Sequence, residues 1–202
     1  MTATVAPVLA AGPAPAHCCT DPASFPYETL PADGSVDFVI DQTSPSFEFQ
    51  SGASRFRAFA LPPADRNYLL EVHSFLDGPA DPRRARVFYP VLAVLTDDFL
   101  VSRTTDLDGL AFDLPVLEAT AAPAYRVTLA LGLGNGRERY VVVFTPSRLA
   151  TRRALPPIAG PDTAAQAARV AFLGAVGEGR LRITVRAGEA PAAAAPAEVA
   201  TP

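Results

Sequence analysis

The chain offers two histidines, His17 and His73, for general acid–base work near neutral pH. Neither lies beside a nucleophile pattern, because the serines form no G-x-S-x-G elbow. A serine–histidine relay needs both groups held together by a third. His73 alternates out of phase with Leu70 and Val72 and so turns toward solvent or a polar patch. It reads as an ordinary surface histidine, and His17 as part of a terminal arm. The run Gly132-Leu133-Gly134-Asn135-Gly136 has the composition of a phosphate cradle. A dinucleotide fingerprint must open a helix, however, and this one leads into the strand-like Arg139–Thr145. It is expected to be a hairpin connection, since Asn-Gly accepts positive φ. Acids gather at Asp97-Asp98 and at Asp106, Asp108 and Asp113. The stretch Asp106-x-Asp108-Gly109 is only a fragment of a calcium loop, without the closing bidentate acid, so solvated turn carboxylates are expected. A glycosidase-type pair stays open, because the separation of two carboxylates is a three-dimensional fact. No catalytic residue, cofactor site or metal site is assigned.

Binding chemistry is nearly as sparse. Sugars stack on flat aromatics with a polar tip, and with no Trp in the chain the candidates reduce to Tyr68 and Tyr89. Both sit in apolar runs, where core packing with the hydroxyl near the surface is the first expectation. Cys18 and Cys19 are the only cysteines. Adjacent cysteines cannot staple distant parts of a fold, and pairing them closes a strained ring. They are expected as exposed thiols. Lipidation of Cys18 is the second reading, against which His17 stands where a small residue is wanted. Two thiols and His17 do not complete a tetrahedral metal set.

These residues must be positioned by a chain of 202 residues, long enough to bury a core without staples. All 17 basic residues are Arg, and with 21 Pro and abundant Ala this resembles a coding bias, so arguments from Arg or Pro counts are set aside. The formal charge is −4 and the arginines are scattered along the sequence, which argues against nucleic acid as a partner. No run approaches the length of a transmembrane helix. Residues 1–23 read as the remnant of an export signal or as a disordered Ala/Pro arm; the Ala-rich approach to Cys18 favours the former. Residues 188–202 read as a disordered Ala/Pro tail.

Between these ends, residues 24–187 carry strand signals. Val36, Phe38 and Ile40 alternate with polar neighbours, as do Phe47 and Phe49, and Tyr68, Leu70 and Val72. Arg55–Leu61 is a further run, stopped by Pro62-Pro63. Val87–Thr96 is strongly apolar, with Pro90 confined to a strand end, edge or bulge. Asp97-Asp98 turns the chain into Phe99–Arg103. Tyr125–Leu131 alternates, Arg139–Thr145 reads as a buried strand, and Gly179–Ala187 sets Leu181, Ile183 and Val185 against Arg180, Arg182, Thr184 and Arg186. Asp77–Arg86 is an exposed loop. Short helices are expected at Arg148–Arg153 and at Ala164–Leu173, the latter capped by Asp162 or Thr163. The fold class is therefore all-β: a single β-sandwich of short antiparallel strands, with one or two short helices and disordered termini.

Several segments in order resemble the maltose operon periplasmic protein family. They are Cys18-Cys19 with Ser24-Phe25-Pro26-Tyr27 and Leu30-Pro31, Phe56–Pro62, Leu69–Ser74, Val87–Pro90 with Val94–Asp97, Tyr140–Pro146, and Gly179–Val185. The match runs from about Cys18 to Ala187, and a long helical region found in some members is missing. The resemblance implies a non-enzymatic, periplasmic accessory protein of maltose or maltodextrin (carbohydrate) transport, with association to the outer membrane. Its partner would be maltodextrin or an envelope protein. The alternative is a structural or protein-interaction module of the cell envelope with no sugar ligand.

Overall fold

The computed structural model describes residues 18–63, 65–77, 86–105, 110–113, 124–132, 136–150 and 174–187. In chain order the strands are β1 (Tyr27–Thr29), β2 (Gly34–Ile40), β3 (Ser46–Phe49), β4 (Gly52–Ala60), β5 (Tyr68–Phe75), β6 (Arg86–Val87) and β7 (Val91–Thr96). They continue with β8 (Val101–Thr104), β9 (Leu110–Asp113), β10 (Ala124–Leu131), β11 (Glu138–Phe144), β12 (Gly174–Ala175) and β13 (Gly179–Ala187). A 3-10 turn at Pro22–Ser24, capped by the Asp21 side chain, and a short helix α1 (Ser147–Ala150) are the helical parts described. The expected helix at Ala164–Leu173, residues 151–153 of the other and both terminal arms up to His17 and beyond Ala187 lie outside the described residues.

Two sheets face each other, as the alternating patterns require. One runs β1-β4-β11-β7-β8, with β3 added on β4; the other runs β2-β13-β5-β10-β9. The chain is thus an all-β sandwich. Pairing is antiparallel throughout the two sheets except that β1 lies parallel to β4; a separate parallel pair joins β12 to β6. Between the sheets, Phe38, Ile40, Leu70, Val72, Val127, Leu181, Ile183 and Val185 of the five-stranded sheet meet Phe59, Leu92, Val94, Val141 and Val143 of the six-stranded one. Burying this much apolar surface is the main driving force of the fold. Pro90 falls between Val87, the end of β6, and Val91, the start of β7, so it interrupts no ladder.

One expectation changes at the Gly-rich loop. β10 pairs with β5 and β9, while β11 pairs with β4 and β7 in the opposite sheet. Gly132–Gly136 therefore carries the chain from one sheet to the other and does not close a hairpin. Asn-Gly chemistry permits a positive-φ turn but does not dictate that the flanking strands pair. At the crossing, Gly132 takes φ +138, and a Cβ there would stand 2.5 Å from the Asn67 Cα. Both the backbone and the space demand glycine.

Gly132→Ala should accordingly lower unfolding stability by about 2 kcal/mol or more in urea titration. A loss under about half a kcal/mol would mean that the crossing relaxes freely.

Candidate functional site

The two tyrosines picked out for sugar stacking are in the core: Tyr68 is 3% exposed and Tyr89 0%. Tyr68 alternates in phase with Leu70 and Val72, which face the opposite sheet, and Tyr89 packs its ring 5.3 Å from that of Tyr125. Neither ring has a free face for a sugar. Burial pushes the Tyr68 and Tyr125 hydroxyls up to about 12, and Tyr89 higher still, where it also interacts with Tyr125. Cys18 and Cys19 are joined as a vicinal disulfide and are not free thiols. Adjacency brought the two sulfurs together, and Cys19 leans on the aromatic cluster described below. His73 is half-buried on the polar outer face of β5, between Arg182 and Arg126 in register. Asp97 and Asp98 ring the tip of the β7–β8 hairpin and pair with Arg137. Asp106, Asp108 and His17 lie outside the described residues, and Asp113 falls in β9. Among the described residues, no three His, Cys, Asp or Glu side chains gather in a way that could hold a metal.

What the structure does assemble is a surface that the sequence reading did not single out. The β7–β8 connection is a tight turn in which the Phe99 N–H donates to the Thr96 carbonyl at 3.0 Å and the Leu100 N–H to Thr96 Oγ1 at 3.2 Å. Phe99 has φ +61, the left-handed region that glycine enters freely and other residues enter at a cost of roughly 1–2 kcal/mol. The compensation is aromatic. Phe99 stacks on Tyr140 at 4.8 Å and 14°, and Tyr27 lies 4.4 Å from Tyr140 and 5.9 Å from Phe99. Such ring pairs contribute about 0.5–1.5 kcal/mol each beyond their burial. Burial drives the Tyr27 hydroxyl far above its ordinary range, and it donates to the Pro22 carbonyl at 2.8 Å.

This trio is one end of a longer strip. Phe25, Phe47, Phe49, Phe56 and Phe144 continue it across the outer face of the six-stranded sheet, with Phe49 stacked on Phe144 at 4.1 Å. Beside the Phe99 end, Leu100 in the turn and Val101 at the start of β8 are 67% and 61% exposed, β8 being the strand that ends the sheet's hydrogen-bonded order. The hairpin that carries them is anchored from below. Buried Glu138 accepts from Arg103 Nε at 2.9 Å, from Arg103 Nη2 at 3.0 Å and from Ser102 Oγ at 2.9 Å, while Arg103 Nη2 also reaches the Ala130 carbonyl. A two-toothed guanidinium–carboxylate pair of this kind fixes orientation as well as adding energy. The outcome is a rigid, strained hairpin displaying two aliphatic side chains next to stacked rings. That arrangement suits contact with an apolar partner surface; it brings no nucleophile, base or metal ligand set together.

Only part of this was visible beforehand. Asp97-Asp98 marked the turn, but Phe99 carries no sequence signal of positive φ because the residue type usually avoids it.

Two measurements probe the balance. Phe99→Gly removes the strain together with the stack and should change stability by less than about 1 kcal/mol, whereas Phe99→Ala keeps the strain and should be less stable than Phe99→Gly by about 1 kcal/mol. Equal urea midpoints for the two variants would contradict the strained-hairpin account. The buried tyrosines give a pH test. The unfolded chain releases tyrosine protons near pH 10, while folded Tyr68 and Tyr125 hold theirs until about 12. Stability present below pH 10 must therefore fall as pH rises from 10 toward 12. Tyrosinate absorbance should show a late group of tyrosines ionising in step with unfolding by circular dichroism.

Compared with known proteins, the chain finds no match: no family model, no curated protein and no solved structure aligns with it.

Proposed function

We propose that this protein is a non-catalytic accessory protein of the periplasm, associated with carbohydrate transport as the resemblance to the maltose operon periplasmic protein family implies, and that it acts by docking on another envelope protein. The observation that carries the docking reading is the pair of exposed side chains, Leu100 and Val101, on a hairpin whose strained Phe99 is held in place by Tyr140 and Tyr27. Exposed apolar side chains are ordinary when single; here Leu100 at the end of the turn and Val101 at the start of the edge strand stand together beside half-buried rings. An edge strand also leaves backbone N–H and C=O groups available to a partner strand.

A maltodextrin ligand is the second reading. It rests on the half-buried rings of Tyr27, Phe99 and Tyr140, a mutually packed group near the surface, since Tyr68 and Tyr89 belong to the core. Stacking of a sugar ring on such faces is the usual source of carbohydrate affinity without charge.

Two experiments separate these readings. Immobilised wild-type chain should retain a discrete envelope protein from a membrane-fraction extract, and Leu100→Asp with Val101→Asp should lose it while keeping the wild-type urea midpoint within about 0.5 kcal/mol. Retention unchanged by the double variant would sink the hairpin as the docking site. Calorimetric titration with maltohexaose tests the second reading: saturable heat that Tyr140→Ala abolishes would make the surface a sugar site, and no heat at millimolar sugar would remove it.

A further inference from the structure

The outer face of the five-stranded sheet has a different chemistry, and the strand register defines it. Cross-strand partners share a face, which gives one row Asp37, Arg182, His73, Arg126 and a second row Ser35, Thr184, Glu71, Thr128. Arg180 stands beside Val39, and Arg186 beside Leu69. Four arginines stand against Asp37, Glu71 and, by its register with Ala124 of β10, Asp113, which leaves this face at +1 among the described residues, on a chain whose formal total is −4. Arginines that looked scattered along the sequence are gathered here because β13 alternates Arg180, Arg182 and Arg186 outward, and β10 adds Arg126 two strands away, roughly 9.5 Å across.

The acids on the face serve to orient the arginines. Glu71 is buried beneath two of them, with Oε2 3.3 Å from Arg186 Nη2 and Oε1 3.9 Å from Arg126 Nη1. Asp37 accepts from Arg182 Nε at 2.7 Å and Nη2 at 3.0 Å, which holds the Asp37 carboxyl below its ordinary range. Arg180 is exposed and has no acidic partner among the described residues. Apolar groups lie between the cations: Val39 is 43% exposed, Phe75 is half-buried with the Arg182 guanidinium 5.7 Å from its ring centre, and Leu69 is half-buried.

We propose that this face docks on a bilayer surface rich in phosphate-bearing anionic lipids. Charge complementarity favours an anionic partner, since the basic side chains outnumber the acidic ones on this face of a chain that is acidic as a whole. The cations are spread over a sheet face two to three strands wide, which matches a planar array of phosphates better than a single extended peptide. Guanidinium groups meet phosphate oxygens in pairs, and exposed apolar groups between them enter the headgroup boundary, the combination that interfacial binding requires. The proposal is independent of the hairpin patch, which lies on the other sheet.

The test is co-sedimentation of the full chain with vesicles of phosphatidylcholine alone or mixed with phosphatidylglycerol, at low ionic strength. Binding is expected to the mixed vesicles and not to the neutral ones, and should be lost at high salt. Arg180→Glu should weaken it roughly tenfold or more, since each cation near such a surface contributes about fivefold. Val39→Asp, at a second exposed position of the same patch, should weaken it too, and Leu100→Asp should leave it unchanged. The proposal is overturned by absence of wild-type binding at low salt, by equal binding to neutral vesicles, or by an Arg180→Glu variant that binds as wild type. Capture of the chain by polyglutamate with no vesicle binding would also overturn it, and would assign the face to acidic polypeptides.

Discussion

The constraint on which this fold turns is that its six-stranded sheet is apolar on both faces. At its centre β11 sends Val141 and Val143 into the sandwich interior and Val142 and Phe144 to the other side; β7 does the same with Leu92 and Val94 against Val91, Ala93 and Leu95. A sheet of this kind cannot leave its second face in water, because each large apolar side chain so exposed forfeits about 1.5–3 kcal/mol. The cover comes from nearby in sequence. The segment through Phe25 and Tyr27 and the β3 strand with Phe47 and Phe49 fold back over Phe56, Ala58 and Phe144, and the Cys18 N–H donates to the Ser46 carbonyl where the two covering pieces meet. The strained Phe99 belongs to the same necessity. Its ring completes the cover above Tyr140, alongside that of Tyr27.

This arrangement explains what could and could not be read from residues alone. The strands of the five-stranded sheet, covered on one face, spell strict alternation: Val36, Phe38 and Ile40 in β2, Leu181, Ile183 and Val185 in β13. The strands at the middle of the other sheet spell continuous apolar runs, Val-Leu-Ala-Val-Leu and Tyr-Val-Val-Val-Phe, as doubly covered strands must. Strand existence and the sandwich class were therefore legible. Pairing was not. Gly132–Gly136 has the vocabulary of a hairpin, yet it crosses between sheets, because turn residues specify local φ and say nothing about which strand lies alongside. Tyr68 and Tyr89 illustrate the same limit for sites: an aromatic with a polar tip reads identically whether its ring faces the core or a ligand, and only the opposite sheet decides. The arginine face was half legible, since β13 displays its alternation openly, but the contributions of His73 and Arg126 depend on register with two other strands.

The segments on which the proposed family reading rests now have a location. Phe56–Pro62 covers the end of β4, Leu69–Ser74 most of β5, Tyr140–Pro146 most of β11 and Gly179–Val185 most of β13. These strands supply Phe59, Leu70, Val72, Val141, Val143, Leu181 and Ile183 to the interior. In these four segments the proposed likeness speaks first to how the chain packs. Phe99, Leu100 and Val101 lie outside those segments, so what the hairpin contacts has to be argued from its own geometry. That is why the docking surface and the transport association are separate propositions: the first rests on exposure and strain, the second on family likeness.

The two outer faces then follow from one asymmetry. A sandwich needs only its inner faces to be apolar, so each outer face is free to take any character that can be solvated or covered. Here one outer face was made aromatic and had to be covered from within the chain, which left an apolar remnant at the hairpin where the cover ends. The other stayed polar and could hold a carboxylate, Glu71, below the surface because Arg186 and Arg126 stand over it. A buried acid without such partners would be costly, and truncating an arginine above it leaves that cost unmet. The polar face is thus fixed in shape as firmly as the aromatic one, by charge pairing in place of ring packing. One sandwich thus carries two chemically opposite outer faces, one closed by ring packing and one by charge pairing.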